Sequence, residues 1–135
     1  MTTALIPFNE LQKQMFTALN GNISAAVYDN VPENVTKPWV TIGEATGIPD
    51  NWHGGFGWDI TVTVHVWTKS RGFKSALDIA AEVIAIFDHQ LESLAMGASW
   101  SVVSIRFQQI QTLRDPDPEI RHVPVQFGIV IHQEA

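Results

Sequence analysis

The chain has 135 residues, with 8 Lys and Arg against 14 Asp and Glu and a formal net charge of -6. At 45% hydrophobic and 16% charged it is too apolar for a disordered chain, and its length suits one folded domain, residues 1–135, without a second catalytic lobe. The acidic balance opposes binding to phosphate backbones, and the absence of cysteine excludes disulfides, thiol nucleophiles and Cys-ligated metal.

Residues 1–10 contain neither a basic region nor a long apolar run, so no signal peptide is expected, and no window reaches transmembrane length. The starting compartment expected from this is the cytoplasm. Phe8, Leu11, Met15 and Leu19 recur at helical spacing, which predicts a helix over residues 9–20. Asn9 and Gln12 have the spacing of a capping box, and Gly21 supplies a left-handed stop. Residues 26–29 are a short extended candidate, residues 31–38 a proline-bracketed polar connector, and residues 39–44 a strand.

Residues 48–58 mix glycine and proline with Trp52, Phe56 and Trp58 in no regular period, which predicts a long loop between strands. Residues 59–68 then alternate, with Ile60, Val62, Val64 and Val66 on one face and Thr61, Thr63, His65 and Trp67 on the other. From residue 71 to residue 91 the period is helical, with Phe73, Leu77, Ala80, Ile84, Phe87 and Leu91 expected on the apolar side. Residues 100–113 read as extended, and the parity change between Phe107 and Ile110 predicts a β-bulge near Gln108 and Gln109.

Residues 114–118, Arg-Asp-Pro-Asp-Pro, have the chemistry of a hairpin tip. A last strand follows with Val123, Val125, Phe127, Ile129 and Ile131 on one face, and Pro124, which lacks an N–H, favours an edge position or the strand's beginning. The order of elements gives an α+β domain: a mainly antiparallel β-sheet of four to five strands covered by two α-helices.

Motifs for chemistry are missing. The histidines stand singly, without metal-ligand spacing, and His65 and His122 read as packed or solvated residues. There is no nucleophile elbow, and the glycines at 54, 55 and 57 open no helix and precede no lysine, so they form no phosphate loop. A small hydrolase using His65 or His122 with an aspartate therefore has no motif behind it. Asp115 and Asp117 flank Pro116 and read as turn caps rather than as an acid and a base. Trp52, Phe56 and Trp58 have two readings: aromatics folded back over the sheet end, or a finger that orders against a partner. Arg71, Arg114 and Arg121 lie at element ends and suit intersubunit salt bridges, with turn solvation as the plainer reading.

Three segments taken together resemble a known family. They are Pro38-Trp39-Val40-Thr41-Ile42-Gly43-Glu44, Thr63-Val64-His65-Val66-Trp67-Thr68-Lys69-Ser70-Arg71-Gly72, and Leu113-Arg114-Asp115-Pro116-Asp117 with Arg121-His122. In order and spacing they are similar to the tail completion (tail terminator, head-to-tail joining) family of long-tailed bacteriophages, over nearly the whole chain. The resemblance implies a subunit that assembles as a hexameric ring, caps the tail tube and offers the head-tail connector a docking surface. It implies a place in the virion at the head-proximal end of the tail, after synthesis in the host cytoplasm, with no catalysis, no cofactor, no metal and no membrane.

Carried onto this chain, the resemblance places contacts with neighbouring subunits or the tail tube at Trp52, Phe56, Gly57 and Trp58 and at Arg114, Asp115 and Asp117, beside the salt-bridge candidates Arg71 and Arg121. DNA would pass through the ring without specific binding, because an acidic lumen cannot replace the counterions on phosphate. The alternative expectation is a monomeric protein- or peptide-binding module that uses the aromatic, glycine-rich loop.

Overall fold

The computed structural model describes residues 3–33, 35–36 and 38–134; Asn34 and Lys37, in the expected connector, lie outside them. The elements run α1 (Phe8–Leu19), β1 (Ala26–Tyr28), β2 (Trp39–Pro49), β3 (Gly57–Lys69), α2 (Lys74–Phe87), a 3-10 turn (Leu91–Ser93), β4 (Trp100–Ile110), β5 (Leu113–Arg114) and β6 (Ile120–Gln133). They build one 6-stranded sheet in the order β1-β2-β3-β6-β4, with β5 also on β6. Every pairing is antiparallel except the short parallel contact of β1 with β2. The α+β class is as expected, and the sixth strand arises because the stretch after β4 breaks and re-pairs as two-residue β5.

Alternation along β3 and β6 makes the core. Ile60, Val62, Val64 and Val66 face the same layer as Val123, Val125, Phe127, Ile129 and Ile131, and all are buried. Both helices cover that face: α1 contributes Leu11, Met15 and Leu19, and α2 contributes Ala76, Ile79, Ala80, Val83 and Phe87. The other face, with Thr61, Thr63, His65 and Trp67, carries no helix among the described residues and is half-buried.

Several local expectations are corrected. Pro7, not Asn9, stands at the start of α1, where its carbonyl accepts from the Leu11 N–H at 2.9 Å. Gln12 closes no capping box; its amide donates to Asp29 instead. Gly21 does adopt the left-handed backbone, at φ 80°. The α2 helix is shorter than residues 71–91 because the backbone on either side has other partners. Ser70 N–H donates to Glu119 O at 2.6 Å, and Asp88 turns out of the helix to accept from Phe107 N–H at 2.9 Å. Its buried stripe is also rotated: Leu77 and Leu91 are exposed, and Ala76, Ile79 and Val83 take the core positions.

The loop expected at residues 48–58 shrinks to residues 50–56, since the β2–β3 ladder continues to Pro49 opposite Trp58. Beyond Tyr28, β1 leaves the outer side of β2 unpaired, so a proline near its end costs no ladder bond. The bulge near Gln108 is present, with a second one at Val103 that turns this residue outward to 45% exposure.

The main correction concerns β6. It is central, between β3 and β4, although Pro124 argued for an edge or a strand start. Pro124 pairs with His65 on the β3 side, and its carbonyl accepts from Gln111 N–H at 3.1 Å on the other. In a strand the N–H and C=O of one residue point to the same side, so the missing N–H falls at the break between β4 and β5. No ladder bond is lost there.

Candidate functional site: the two ends of the sheet

The β3–β6 pairing separates the sequence-derived contact residues into two groups. Gly57 pairs with His132 at one end and Lys69 pairs with Ile120 at the other, so Trp52, Phe56, Gly57 and Trp58 lie at the opposite end of the sheet from Arg71, Arg114, Asp115, Asp117 and Arg121. The strand β3 is 13 residues long, which at the usual rise of a strand puts its ends about 40 Å apart.

At the first end, the β2–β3 hairpin folds back on itself. Trp52 and Gly55 bridge each other, and the Trp52 ring lies over Gly55 where a side chain would stand. The same ring stacks on His132 with centroids 4.0 Å apart, yet Trp52 stays 44% exposed. Phe56 is half-buried, and its carbonyl accepts from Gln133 N–H at 2.9 Å. Gly57 is buried: a Cβ here would lie 2.5 Å from the Asp50 carbonyl oxygen, so the hairpin closes only on glycine.

Trp58 points to the core side, edge-on to Phe8 at 6.2 Å, and its indole N–H donates to Leu5 O at 2.9 Å. Gln133 holds the same N-terminal arm, accepting from Leu5 N–H and donating to Thr3 O, both at 2.8 Å. This arm leaves Leu5 and Ile6 exposed beside the hairpin, a contribution that sequence patterning missed because residues 3–7 carry no period.

At the second end, the β5–β6 turn is built by its aspartates. Asp115 Oδ1 accepts from Asp117 N–H at 3.1 Å and Asp117 Oδ1 accepts from Glu119 N–H at 2.9 Å, the turn-capping role expected from the sequence. Arg121 is only 5% exposed. Its guanidinium donates to Pro118 O at 2.8 Å, to Ile120 O at 3.1 Å and to Arg71 O, and it lies over the Phe73 ring at 5.3 Å. Arg121 thus ties the turn to the β3–α2 corner, while the side chains of Arg71 and Arg114 remain exposed.

Between the ends, on the open face, His65 and His122 come together, which their separation in sequence conceals. His65 Nδ1 lies 2.6 Å from His122 Nε2, and His65 Nε2 lies 3.3 Å from Glu44 Oε2. Trp67 stacks flat on His122 at 3.8 Å. Since the Glu44 carboxylate can only accept, His65 Nε2–H donates to it, which leaves Nδ1 of the neutral ring to accept from His122 Nε2–H. The carboxylate beside the pair is Glu44, not an aspartate, and no group of metal-ligating side chains converges among the described residues.

Burial, then the neighbouring His65, pushes the His122 pKa from 6.5 down to about 4, with Asp115 and Glu44 pulling the other way. A hydrogen bond from its own backbone, and then the one from His65, hold Glu44 below the usual carboxylate range. For His122 the unfolded chain binds more protons between pH 6.5 and 4, so the stability it contributes is complete above that window and declines as pH falls through it. The Tm at pH 4.5 relative to pH 7 should fall by about 3–5 °C more in the wild type than in His122→Gln. Equal acid sensitivity of the two would refute this assignment.

The sequence model of the family described as Tail completion protein gp17 matches residues 12–132, from α1 to the end of β6. The chain belongs to that family. Among solved structures, it is similar to a chain in the virion of a native gene transfer agent (GTA) particle. The TM-score is 0.85 at 20% identity, covering 96% of this chain and 99% of that one, which shows a shared fold. No curated protein matches the sequence. Family membership supports a structural role in a phage-type virion for this tail completion protein.

Proposed function

We propose that this tail completion protein closes into a six-membered ring at the head-proximal end of the tail, seating on the tail tube and presenting a joining surface to the head-tail connector. The observation that carries the reading is the family match over residues 12–132. Two features support it. The contact residues carried over from the resemblance fall at opposite ends of one rigid β3–β6 pair, which suits a subunit that must meet partners on two sides. The net charge of -6 suits a channel that DNA traverses without sticking.

Trp52 is the residue that separates contact from folding, because it is exposed and its loss removes one stacking contact. Trp52→Ser should cost about 1 kcal/mol of stability and yet prevent capping of purified tail tubes viewed by negative stain. Light scattering of the wild type should give about six times the subunit mass of 15.0 kDa, on the order of 90 kDa. Tubes capped equally well by Trp52→Ser would remove this hairpin from the contact, and tubes that the wild type leaves open would overturn the proposed function.

A further inference from the structure

We infer that neighbouring copies in the ring meet end to end, the arginine-bearing end of one sheet against the acidic hairpin end of the next. The inference rests on the ring reading above and names the partner of both ends as a second copy of this chain.

Charge is distributed unevenly along the sheet. Lys69, Arg71, Arg114 and Arg121 sit together at the turn end, half of the chain's 8 Lys and Arg. Among the described residues the ion pairs are His65 with Glu44, Lys74 with Asp78 and His89 with Asp88, so none of these four cations has a carboxylate partner. Lys69, Arg71 and Arg114 are exposed. The hairpin end is the reverse: Asp50, Asp59 and Glu134 are exposed and outside any ion pair, and residues 44–59 and 122–134 contain no Lys or Arg.

Guanidinium groups and carboxylates recognise each other at short range, through paired hydrogen bonds. Trp52, exposed beside Asp50, adds apolar surface at the same end. A duplex phosphate backbone fits the turn end less well, because Asp115, Asp117 and Glu119 are interleaved with the cations and leave little net positive field. Contact between unlike ends is heterologous, and such contacts close into a ring when the rotation between copies permits. Six lengths of β3 end to end span roughly 240 Å, a ring about 75 Å across, wide enough to enclose duplex DNA.

The test uses two double charge reversals of the full chain. Arg71→Glu with Arg114→Glu makes both ends acidic, and Asp50→Lys with Asp59→Lys makes both ends basic. Each variant alone should run as a monomer in light scattering, with its Tm close to wild type, since all four side chains are exposed and Arg114 gives up only its place over the Phe73 ring at 6.0 Å. Mixed in equal amounts they should regain the wild-type mass, because acidic-ended and basic-ended copies can alternate around an even-numbered ring. A wild-type ring whose mass survives either reversal, or a mixture that stays monomeric, overturns the end-to-end contact alone. Duplex DNA retained by wild type and released by the arginine variant, with the ring intact, would reassign the turn end to phosphate. A monomeric wild type that also leaves tail tubes uncapped overturns the ring reading itself.

Discussion

Truncating Phe127 to alanine should bring this domain close to unfolding. Phe127 is fully buried on the central strand, and its ring meets Phe87 edge-on at 5.5 Å and Phe107 at 6.3 Å. It joins α2 to β4 across β6, so no single neighbour can relax into the space that it leaves. Loss of such a side chain costs about 3–5 kcal/mol in transfer and cavity terms, out of a total of roughly 5–15 kcal/mol for a domain of this kind. At a typical slope of about 2 kcal/mol per molar urea, the unfolding midpoint should fall by roughly 2 M. Phe127→Leu keeps most of the volume and should lose less than half as much. A midpoint for Phe127→Ala within experimental error of wild type would show that this ring does not anchor the core.

Arg121→Ala should be the most damaging change at the turn end. It removes the donor to three carbonyl oxygens, those of Pro118, Ile120 and Arg71, and the cation over Phe73. Each buried acceptor left without a donor costs about 1–3 kcal/mol, so a loss of about 3 kcal/mol is expected even if water reaches some of them. Arg121→Lys should recover less than half, because one ammonium cannot present the planar fork that reaches both the turn and the β3–α2 corner. Amide exchange at Ser70 and Ile120 should accelerate in both variants, since their N–H bonds to Glu119 O and Asp117 O close the same corner. Full recovery by lysine would mean that charge, rather than the fork, holds the turn.

The Arg121 prediction bears on how the candidate contact residues divide. Arg121 and Trp58 face inward and hold the ends in shape by hydrogen bonds; Trp52 and Arg71 are exposed, and Arg114, exposed too, lies over the Phe73 ring at 6.0 Å. Sequence spacing treats Arg121 and Arg114 alike, because both sit at element ends. The register pairs them on one face, both over the Phe73 ring, and burial separates them: Arg121, on β6 in line with Val123 and Val125, is covered and hydrogen-bonded, whereas Arg114, on the two-residue strand beside it, stays exposed.

The period-two pattern of residues 59–68 and the valine and isoleucine run of β6 determined by themselves that a half-covered sheet would form, because alternation leaves one face no alternative to burial. The turn of residues 114–118 and the bulge at Gln108 were equally legible, since proline, aspartate and a parity slip act locally. Family kinship was also carried by the order of short segments along the chain. The central place of β6, the rotated stripe of α2 and the meeting of His65 with His122 were decided only by the tertiary structure. Each depends on what stands beside a residue rather than before or after it. Pro124 is tolerated at the middle of the sheet because a neighbouring strand happens to break opposite it, and Leu77 is exposed because the sheet packs against the Ala76, Ile79 and Val83 side of its helix. The gathering of Lys69, Arg71, Arg114 and Arg121 belongs to this second class: they are scattered along the chain, and the antiparallel pairing of β3 and β5 with β6 brings them to one end of the sheet.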